Sequence, residues 1–252
     1  MTFASLQSQR ILITGSSSGI GHAMALECAK AGADVILNCR SSIDRARSVA
    51  DEIRNLGVSV QVIQADVSLD ADRQHLFDEC FASGRVDALI SNAGADLLTT
   101  ELRAAPFSIR MQKLFETDVV GTVELSRLFG RAFYDQQRGS ILSIGWDQSD
   151  RGMEGDSGEL FATAKNAVMG FTRSIALSFA PFVRVNCIAP GWIRTAWGAT
   201  ASDYWQERVL SETPLKRWGE PSDIAKMARF LLSEEASFVT GQVINVNGGA
   251  VR

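Results

Sequence analysis

The sequence predicts a single-domain α/β fold that is doubly wound around one parallel sheet of seven strands. Short apolar runs of strand length alternate with helical patterns from one end of the chain to the other. Glycines close several of the helices, as at Gly32 and Gly57, and mark short turns back into the sheet. No linker, internal repeat or low-complexity tract divides the chain, so residues 1–252 are expected to form one domain.

The strands are predicted where short runs rich in Val, Ile, Leu and Cys stand between turn signals. Runs that are apolar on both faces are typical of a parallel sheet covered by helices on each side. Right-handed crossovers between such strands then produce the doubly wound arrangement. In chain order the predicted strands are Arg10–Thr14, Asp34–Cys39, Val58–Gln64, Val86–Ser91, Ser140–Ile144, Val183–Ile188 and Gln242–Val246.

The helices are predicted from apolar residues that recur every three or four positions between the strands. The stretch 194–216 has no such regular pattern and is too long for an ordinary connection. It is therefore predicted to be a lid over the substrate. The predicted helices are Gly19–Ala31, Ile43–Leu56, Asp70–Ala82, Ala105–Tyr134, Gly158–Phe179 and Pro221–Leu232.

The composition is typical of a globular enzyme, with 46% hydrophobic and 21% charged residues. The net charge is −4 and no basic run is present, so neither nucleic acid nor a membrane is an expected partner. No secretory leader or spanning segment is evident, and we expect a cytoplasmic protein. The four cysteines lack the spacing of metal ligands, so they are expected to be buried thiols and no metal site is predicted.

The turn after the first strand carries a glycine-rich motif that runs from Thr14 to Gly21. Its glycines permit a tight turn and a close approach of the backbone to a ligand, and the N-terminus of the following helix favours a phosphate. A glycine-rich turn can also be purely structural. The residues predicted to bind a dinucleotide here are Gly15, Ser17, Ser18, Gly19, Ile20 and Gly21.

Further motifs stand at the ends of other predicted strands. They are Asp66-Val67, Ser91-Asn92-Ala93-Gly94, Pro190-Gly191 and Val246-Asn247-Gly248-Gly249. Together with the glycine turn, they make essentially the whole chain resemble the short-chain dehydrogenases/reductases, and the 3-ketoacyl reductases among them. The resemblance implies a Rossmann fold with the ligand at the carboxyl edge of the sheet.

The same resemblance implies how a dinucleotide would be held. Asp66 and Val67 would flank the adenine, and Lys165 would bind the nicotinamide ribose. The residues implied on the ribose side are Asn92, Ala93 and Gly94, and those implied at the nicotinamide end are Pro190, Gly191, Ile193 and Thr195.

The end of the second strand determines which dinucleotide is expected. An acid there would bind the ribose 2′-hydroxyl and repel a 2′-phosphate, but the chain has Arg40 and Ser41 after Cys39. A guanidinium suits a phosphate because it forms charge-assisted, often bidentate hydrogen bonds. We therefore predict NADP(H) in preference to NAD(H). The alternative is that Arg40 is only a solvated residue at the start of a helix.

The catalytic positions depart from those of the family, in which an Asn, a Ser, a Tyr and a Lys cooperate. Lys165 matches the lysine, but Phe161 stands at the tyrosine position and Asp118 at that of the asparagine. The fifth strand places Trp146 at the serine position. Family spacing counted back from Phe161 leads instead to Gln148, with Ser149 next to it.

The substituting residues bring other chemistry to the site. Asp118 is expected to form an ion pair with Lys165, and Asp147 is a candidate replacement acid if burial raises its pKa. The alternative is that Asp147, like Asp150 and Asp156, is an ordinary solvated loop acid.

Aromatic residues are expected to line the substrate side of the site. Phe161 makes the pocket floor apolar, and a lid rich in aromatic side chains would cover an apolar or aromatic ligand and exclude water. A subunit contact or simple packing is the alternative. The aromatic residues in and beside the lid are Trp192, Trp197, Tyr204 and Trp205.

These features predict an NADP(H)-dependent oxidoreductase that acts on a carbonyl or hydroxyl substrate through an atypical proton path. By analogy with the family, 3-ketoacyl thioesters, ketones and sugar-type carbonyls are the expected substrates. The alternatives are a catalytically lapsed NADP(H)-binding protein, acting as a sensor or partner subunit, and a non-redox enzyme that uses the site acids. Because the family pairs its two long helices across a two-fold axis, a homotetramer or homodimer is expected.

Overall fold

The computed structural model describes residues 3–251 as one parallel sheet of seven strands with helices on both faces. The strand order is β3-β2-β1-β4-β5-β6-β7, so the winding reverses between β1 and β4. A doubly wound sheet opens a ligand crevice at the carboxyl ends of the strands on either side of this reversal. The strands are β1 (Arg10–Ile13), β2 (Asp34–Cys39), β3 (Val60–Gln64), β4 (Ala88–Ser91), β5 (Gly139–Ile144), β6 (Val183–Pro190) and β7 (Val243–Val246).

The predicted strand order along the chain and the parallel sheet are confirmed, with shifts at strand ends. Strand β4 starts two residues later than predicted, because Asp87 accepts the backbone N–H of Arg10 through its side chain. Strand β6 runs on to Pro190, which pairs with Val246 of β7. The helices are α1 (Gly19–Lys30), α2 (Ile43–Arg54), α3 (Asp70–Ala82), α4 (Phe107–Leu114), α5 (Gly121–Asp135), α6 (Asp156–Phe179), α7 (Ala196–Thr200), α8 (Asp203–Glu212) and α9 (Pro221–Leu232).

The sheet is buried on both faces, and successive residues of β1 pack against the helix layers on opposite faces. Ile11 and Ile13 join a cluster with side chains from α1, α2 and α9, whereas Leu12 joins a second cluster with α3, α5 and α6. This alternation follows from the period of two in a strand. Both faces of the central strands are therefore fixed, which holds the carboxyl edge of the sheet rigid beneath the site.

The long helix predicted from Ala105 to Tyr134 is interrupted. Helix α4 passes through a π-helical turn, Phe115–Val120, before α5 continues the same path. A π turn inserts an extra residue into the helix and occurs frequently at functional sites. Here it holds Asp118, which is 2% exposed.

The stretch 194–216 is more regular than the sequence suggested. It contains α7 and α8, so the prediction of an irregular segment is wrong. Helix α8 is only ten residues long and buries one residue of its own, Val209, so its sequence carries no wide apolar stripe. The predicted lid, 194–216, therefore consists largely of two short helices.

Within residues 3–251, no helix is long and apolar enough to cross a membrane. The same range holds no cluster of His, Cys, Asp and Glu side chains that could bind a metal ion. All four cysteines are buried and free.

Candidate active site

The glycine turn lies where the sheet reverses, between the ends of β1 and β4. Gly15 has a φ of +62°, and a Cβ there would lie 2.8 Å from the Cα of Ala93. A Cβ on Gly21 would lie 2.5 Å from the side-chain nitrogen of Asn92. Both positions therefore require glycine, because the backbone after β1 packs directly against the loop after β4.

Hydrogen bonds lock these two strand ends together. Asn92 donates its amide to the carbonyl oxygens of Thr14 and Gly15, at 2.9 and 3.1 Å. The Thr14 hydroxyl accepts the backbone N–H groups of Asn92 and Ala93, both at 3.0 Å. The predicted residues of the turn and of the ribose side are thus brought together in one rigid element.

The N-terminus of α1 is open toward the crevice. Ser18 is exposed and forms no side-chain cap, so the first N–H groups of the helix have no cap from this residue. The methyl group of Thr195 lies 3.9 Å from the position of a Cβ on Gly19. This contact brings the start of the lid to the mouth of the turn.

The end of β2 carries one buried polar side chain and two exposed ones. Asn38 is buried and donates to the carbonyls of Ile63 and Ala65, at 3.3 and 3.0 Å. Arg40 and Ser41 are exposed, and within residues 3–251 no carboxylate lies within ion-pair distance of the Arg40 guanidinium. The cation therefore stands in solvent beside the crevice.

The loop after β3 forms the next wall. Ser68 donates its N–H and its hydroxyl to one oxygen of Asp66, at 2.9 and 2.7 Å. Val67 is 5% exposed and packs against Gly121, where a Cβ would approach the Val67 carbonyl oxygen to 2.9 Å. Both predicted adenine-side residues are thus fixed in place.

Lys165 and Asp118 form the ion pair that the sequence predicts. The Lys165 Nζ lies 2.8 Å from Oδ2 of Asp118, and the side chains are 14% and 2% exposed. The other oxygen of Asp118 accepts the backbone N–H of Ala95 at 2.7 Å. The pair therefore sits directly under the loop that follows β4.

Phe161 and Trp146 form an aromatic wall beside this ion pair. Their ring centroids are 6.3 Å apart, with an interplanar angle of 71°. Phe161 lies one helical turn before Lys165 on α6 and packs against a buried apolar cluster that includes Leu97 and Leu114. Neither ring carries a hydroxyl group, and the indole N–H of Trp146 is not acidic, so this wall has no general acid for a substrate oxygen.

Asp147 is fully buried, at 0% exposure, just after β5. Its Oδ2 accepts the side-chain N–H of Asn247 at 3.0 Å, whereas its Oδ1 has no hydrogen-bond partner. Burial raises the pKa of Asp147 from 3.8 to about 6, although the Asn247 hydrogen bond opposes this rise. The description as a solvated loop acid is therefore wrong for Asp147, while Asp150 and Asp156 are exposed.

Asn247 was not predicted as a site residue. Its amide also donates to the carbonyl of Val251 at 2.9 Å and accepts the N–H of Gly249 at 3.0 Å. Its orientation is thus set by the backbone after β7. A Cβ on Gly191 would lie 2.6 Å from the Cβ of Asn247, so Gly191, which follows β6, lies directly against this residue.

Gln148 and Ser149, the residues that family spacing places at the catalytic serine position, lie beside Asp147. Gln148 and Ser149 are buried in the short helical turn Asp147–Asp150. The Ser149 hydroxyl has no hydrogen-bond partner, and its carbonyl accepts the amide of Asn166 at 2.7 Å. Trp146 directly follows the end of β5 and Gly145, which is the position expected from the strand.

The lid tryptophans pack on one another. Trp192 has ring centroids 6.1 Å from Trp197 and 5.5 Å from Trp205. Trp218, which the sequence analysis did not include, closes the cluster at 6.4 Å from Trp192 and is 3% exposed. Tyr204 is 61% exposed, and its ring lies 5.5 Å from that of Trp205.

An ion pair connects helix α8 of the predicted lid to the loop before α6. Arg208 of α8 pairs with Glu154, in the loop before α6, and at 2.7 Å with Glu212 of its own helix. Glu212 in turn accepts the indole N–H of Trp192 at 3.1 Å. Beneath the lid a cleft of about 200 Å³ extends to the end of β7, and its lining includes Trp192, Ile193, Thr213, Arg217, Asn247 and Gly248.

A protein-family model and known sequences are similar to this chain. A family model described as enoyl-(acyl carrier protein) reductase matches residues 15–251. The 3-oxoacyl-[acyl-carrier-protein] reductase of Aquifex aeolicus is 34% identical over 248 residues, which cover 97% of this chain and 98% of the relative.

Solved structures agree over nearly the whole length. A 7α-hydroxysteroid dehydrogenase in complex with NADH and 7-oxo glycochenodeoxycholic acid has a TM-score of 0.90 and 31% identity, covering 98% of this chain and 96% of that chain. A short-chain dehydrogenase from Burkholderia cenocepacia in complex with NADP has a TM-score of 0.86 and 27% identity, covering 97% of this chain and 98% of that chain.

Proposed function

We propose that this chain, which belongs to the short-chain dehydrogenase/reductase family, is an NADP(H)-dependent oxidoreductase acting on a carbonyl or hydroxyl group through an atypical proton path. One observation carries the proposal. The glycine turn is packed so tightly against the loop after β4 that only a backbone fits, while the N-terminus of α1 beside it stays open. This arrangement fits a pyrophosphate, which binds at a helix N-terminus through N–H groups and the helix dipole.

The residues present fit a bound dinucleotide along the whole crevice. Asp66 and Val67 would contact the adenine, and Lys165 would hold the nicotinamide ribose. When bound, the dinucleotide supplies or accepts the hydride. Pro190, Gly191, Ile193 and Thr195 would close the nicotinamide end, with the lid above them.

The preference for NADP(H) rests on Arg40 and Ser41. Both are exposed at the end of β2, and the Arg40 guanidinium is free of carboxylate partners within residues 3–251. A 2′-phosphate there would gain charge-assisted hydrogen bonds without first breaking an ion pair. The 2′-hydroxyl of NAD(H) would gain much less.

The proton path is assigned to Asp147 because Phe161 and Trp146 have no acidic proton. With a pKa raised to about 6, Asp147 can hold or release a proton near neutral pH. Its Oδ1 has no hydrogen-bond partner, so this oxygen would carry the proton while Oδ2 keeps accepting from Asn247. Asn247 then acts as a positioning residue for the acid.

An apolar or aromatic substrate is favoured by the walls of the site. Phe161 and Trp146 form one side, and Trp192, which stands just before the predicted lid, packs on the lid tryptophans Trp197 and Trp205. The similar proteins carry names that include a 3-oxoacyl carrier reductase and a dehydrogenase bound to a 7-oxo bile acid. An apolar ketone or 3-oxoacyl thioester is therefore the first substrate class to try.

A second candidate is an NADP(H)-binding protein without turnover. The specific observation in its favour is the contact between the Phe161 and Trp146 rings. These two rings stand at the positions where the family has the hydroxyl groups of its Tyr and Ser. A non-redox enzyme that uses Asp147 as its acid is a third candidate. Product formation without a change in NADPH absorbance would identify this third case.

A homodimer or homotetramer is the proposed assembly. Helices α5 and α6 turn apolar side chains outward near their C-terminal ends, with Tyr134 38% and Leu177 82% exposed. A second copy would cover these side chains. Light scattering that gives the mass of a monomer would contradict this assembly.

The activity is tested by following NADPH absorbance with a panel of apolar ketones and 3-oxoacyl thioesters, and NADP⁺ reduction with the corresponding alcohols. The proposal expects turnover that Asp147→Asn lowers by about 10²-fold or more, because a positioned acid is lost. Asp150→Asn is the matched control, since Asp150 is an exposed acid three residues away. Equal losses of turnover in both variants would show that Asp147 is not the proton donor.

A further inference from the structure

We propose that Asp118 shifts the relative affinity of this site toward the oxidised form of the bound dinucleotide, because its carboxylate cancels the Lys165 charge that would otherwise repel the oxidised ring. The inference rests on the proposed cofactor site. It adds a property that the proposed function does not contain: which oxidation state of the cofactor the free enzyme holds more tightly.

The ion pair is built into the floor of the site. Asp118 is 2% exposed, and both of its oxygens are engaged, one by Lys165 Nζ at 2.8 Å and one by the Ala95 N–H at 2.7 Å. A Cβ on Gly94 would lie 2.9 Å from the Asp118 oxygen that Lys165 contacts. The carboxylate therefore lies directly beneath the loop that leads from β4 into the crevice.

The carboxylate is a specific counter-charge for this lysine. Within residues 3–251, Asp118 is the one acid within ion-pair distance of the Lys165 ammonium. Lys165 is 14% exposed, so solvent screens it little and an uncompensated charge there would act strongly on a neighbouring group.

The two forms of the cofactor differ mainly by one positive charge, which the oxidised nicotinamide ring carries and the reduced ring lacks. An ammonium without a counter-charge near the ring repels only the oxidised form. The Asp118 carboxylate removes this repulsion, whereas an amide at the same position would not. Contacts to the ribose and phosphates are common to both forms, so they cancel in the ratio of the two dissociation constants.

The test is calorimetric titration of the full-length protein with NADP⁺ and with NADPH at low and at high salt. Asp118→Asn removes the charge and keeps one acceptor oxygen, which can serve either Lys165 or Ala95 but not both. It is expected to raise the ratio Kd(NADP⁺)/Kd(NADPH) by about tenfold or more, as for one unit charge within about 10 Å at an effective dielectric constant near 20. Glu159→Gln is the matched control, because it removes an exposed acid from the same helix as Lys165, and it should leave the ratio unchanged.

Two further variants test the sign of the effect. Lys165→Met leaves Asp118 uncompensated and should lower the ratio, whereas the Asp118→Asn/Lys165→Met double variant should return it toward that of the wild type. These variants also decide the question if Asp118→Asn alone does not fold. An unchanged ratio in Asp118→Asn, or the same change in Glu159→Gln, would overturn the inference while leaving the cofactor site intact. A wild-type protein that binds neither form would overturn the proposed function as well.

Discussion

Asn247 and Asp147, which are 100 positions apart, are joined by a 3.0 Å hydrogen bond at the carboxyl edge of the sheet. Asn247 follows the last strand and is oriented by its own backbone contacts, while Asp147 follows β5 and is fully buried. The contact holds a buried carboxyl group with one of its oxygens unpaired. It links the C-terminal segment to Asp147, whose pKa burial raises to about 6.

Asp147 should make the stability of the protein depend on pH. Because the pKa of this acid is higher in the folded state, at about 6, than its ordinary value of 3.8, its contribution favours folding at low pH and is lost as pH rises through 6. Between pH 5 and 7.5 the loss is about 1 kcal/mol in the free energy of unfolding. Asp147→Asn should flatten this part of the curve, which urea unfolding across this pH range would measure.

The control for this pH dependence is Asp150→Asn, which removes an exposed acid from the same turn. If the wild-type and Asp147→Asn proteins lose stability in parallel across this interval, the pKa of Asp147 is not raised in the folded protein.

The ion pair between Lys165 and Asp118 should contribute asymmetrically to stability. Lys165→Met leaves a buried carboxylate without its partner and is expected to lower the free energy of unfolding by about 3 kcal/mol. Asp118→Asn retains one acceptor oxygen and leaves no unpaired buried carboxylate, so it should cost less. The double variant should recover part of the loss of Lys165→Met, and simple additivity in chemical denaturation would argue against the pair.

Arg40 should determine the choice between the two dinucleotides. Arg40→Ala is expected to weaken NADPH binding by about tenfold, because charge-assisted hydrogen bonds to the 2′-phosphate are lost, and to leave NADH binding nearly unchanged. Arg47→Ala, which removes an exposed arginine from the following helix, is the matched control. A similar effect of both variants would mean that Arg40 acts only through the general positive charge of this surface.

Phe161→Tyr should not by itself create a fast carbonyl reductase. The new hydroxyl would face Trp146, where the register of β5 leaves no serine to orient a substrate, so a gain below about tenfold is expected. The Phe161→Tyr/Trp146→Ser double variant should gain considerably more in single-turnover NADPH oxidation. A large gain from Phe161→Tyr alone would show that Ser149, not the position of Trp146, supplies the second hydroxyl.

The sequence was most informative where the chemistry is local. The glycine turn could be predicted because its glycines lie within eight residues, and Asp118 could be matched to Lys165 through the family pattern. Asn247 could not be foreseen as a partner of Asp147, since no local signal connects residues in two distant loops. The helices of 194–216 give no clear sequence signal, because α8 is short and buries a single residue of its own. The π turn around Asp118 was missed because one inserted residue hardly disturbs an apolar pattern of period 3.6.

The most direct test of the central claim is a titration of the wild-type protein with NADPH and NADH, in which the five tryptophans act as energy donors to the reduced nicotinamide. Three of these indoles, Trp146, Trp192 and Trp197, lie in the wall or the lid of the site. The proposed function predicts saturable energy transfer with micromolar affinity for NADPH and clearly weaker binding of NADH. No transfer with either dinucleotide would show that the glycine turn is only a structural element, and would contradict the proposal of an NADP(H)-dependent oxidoreductase.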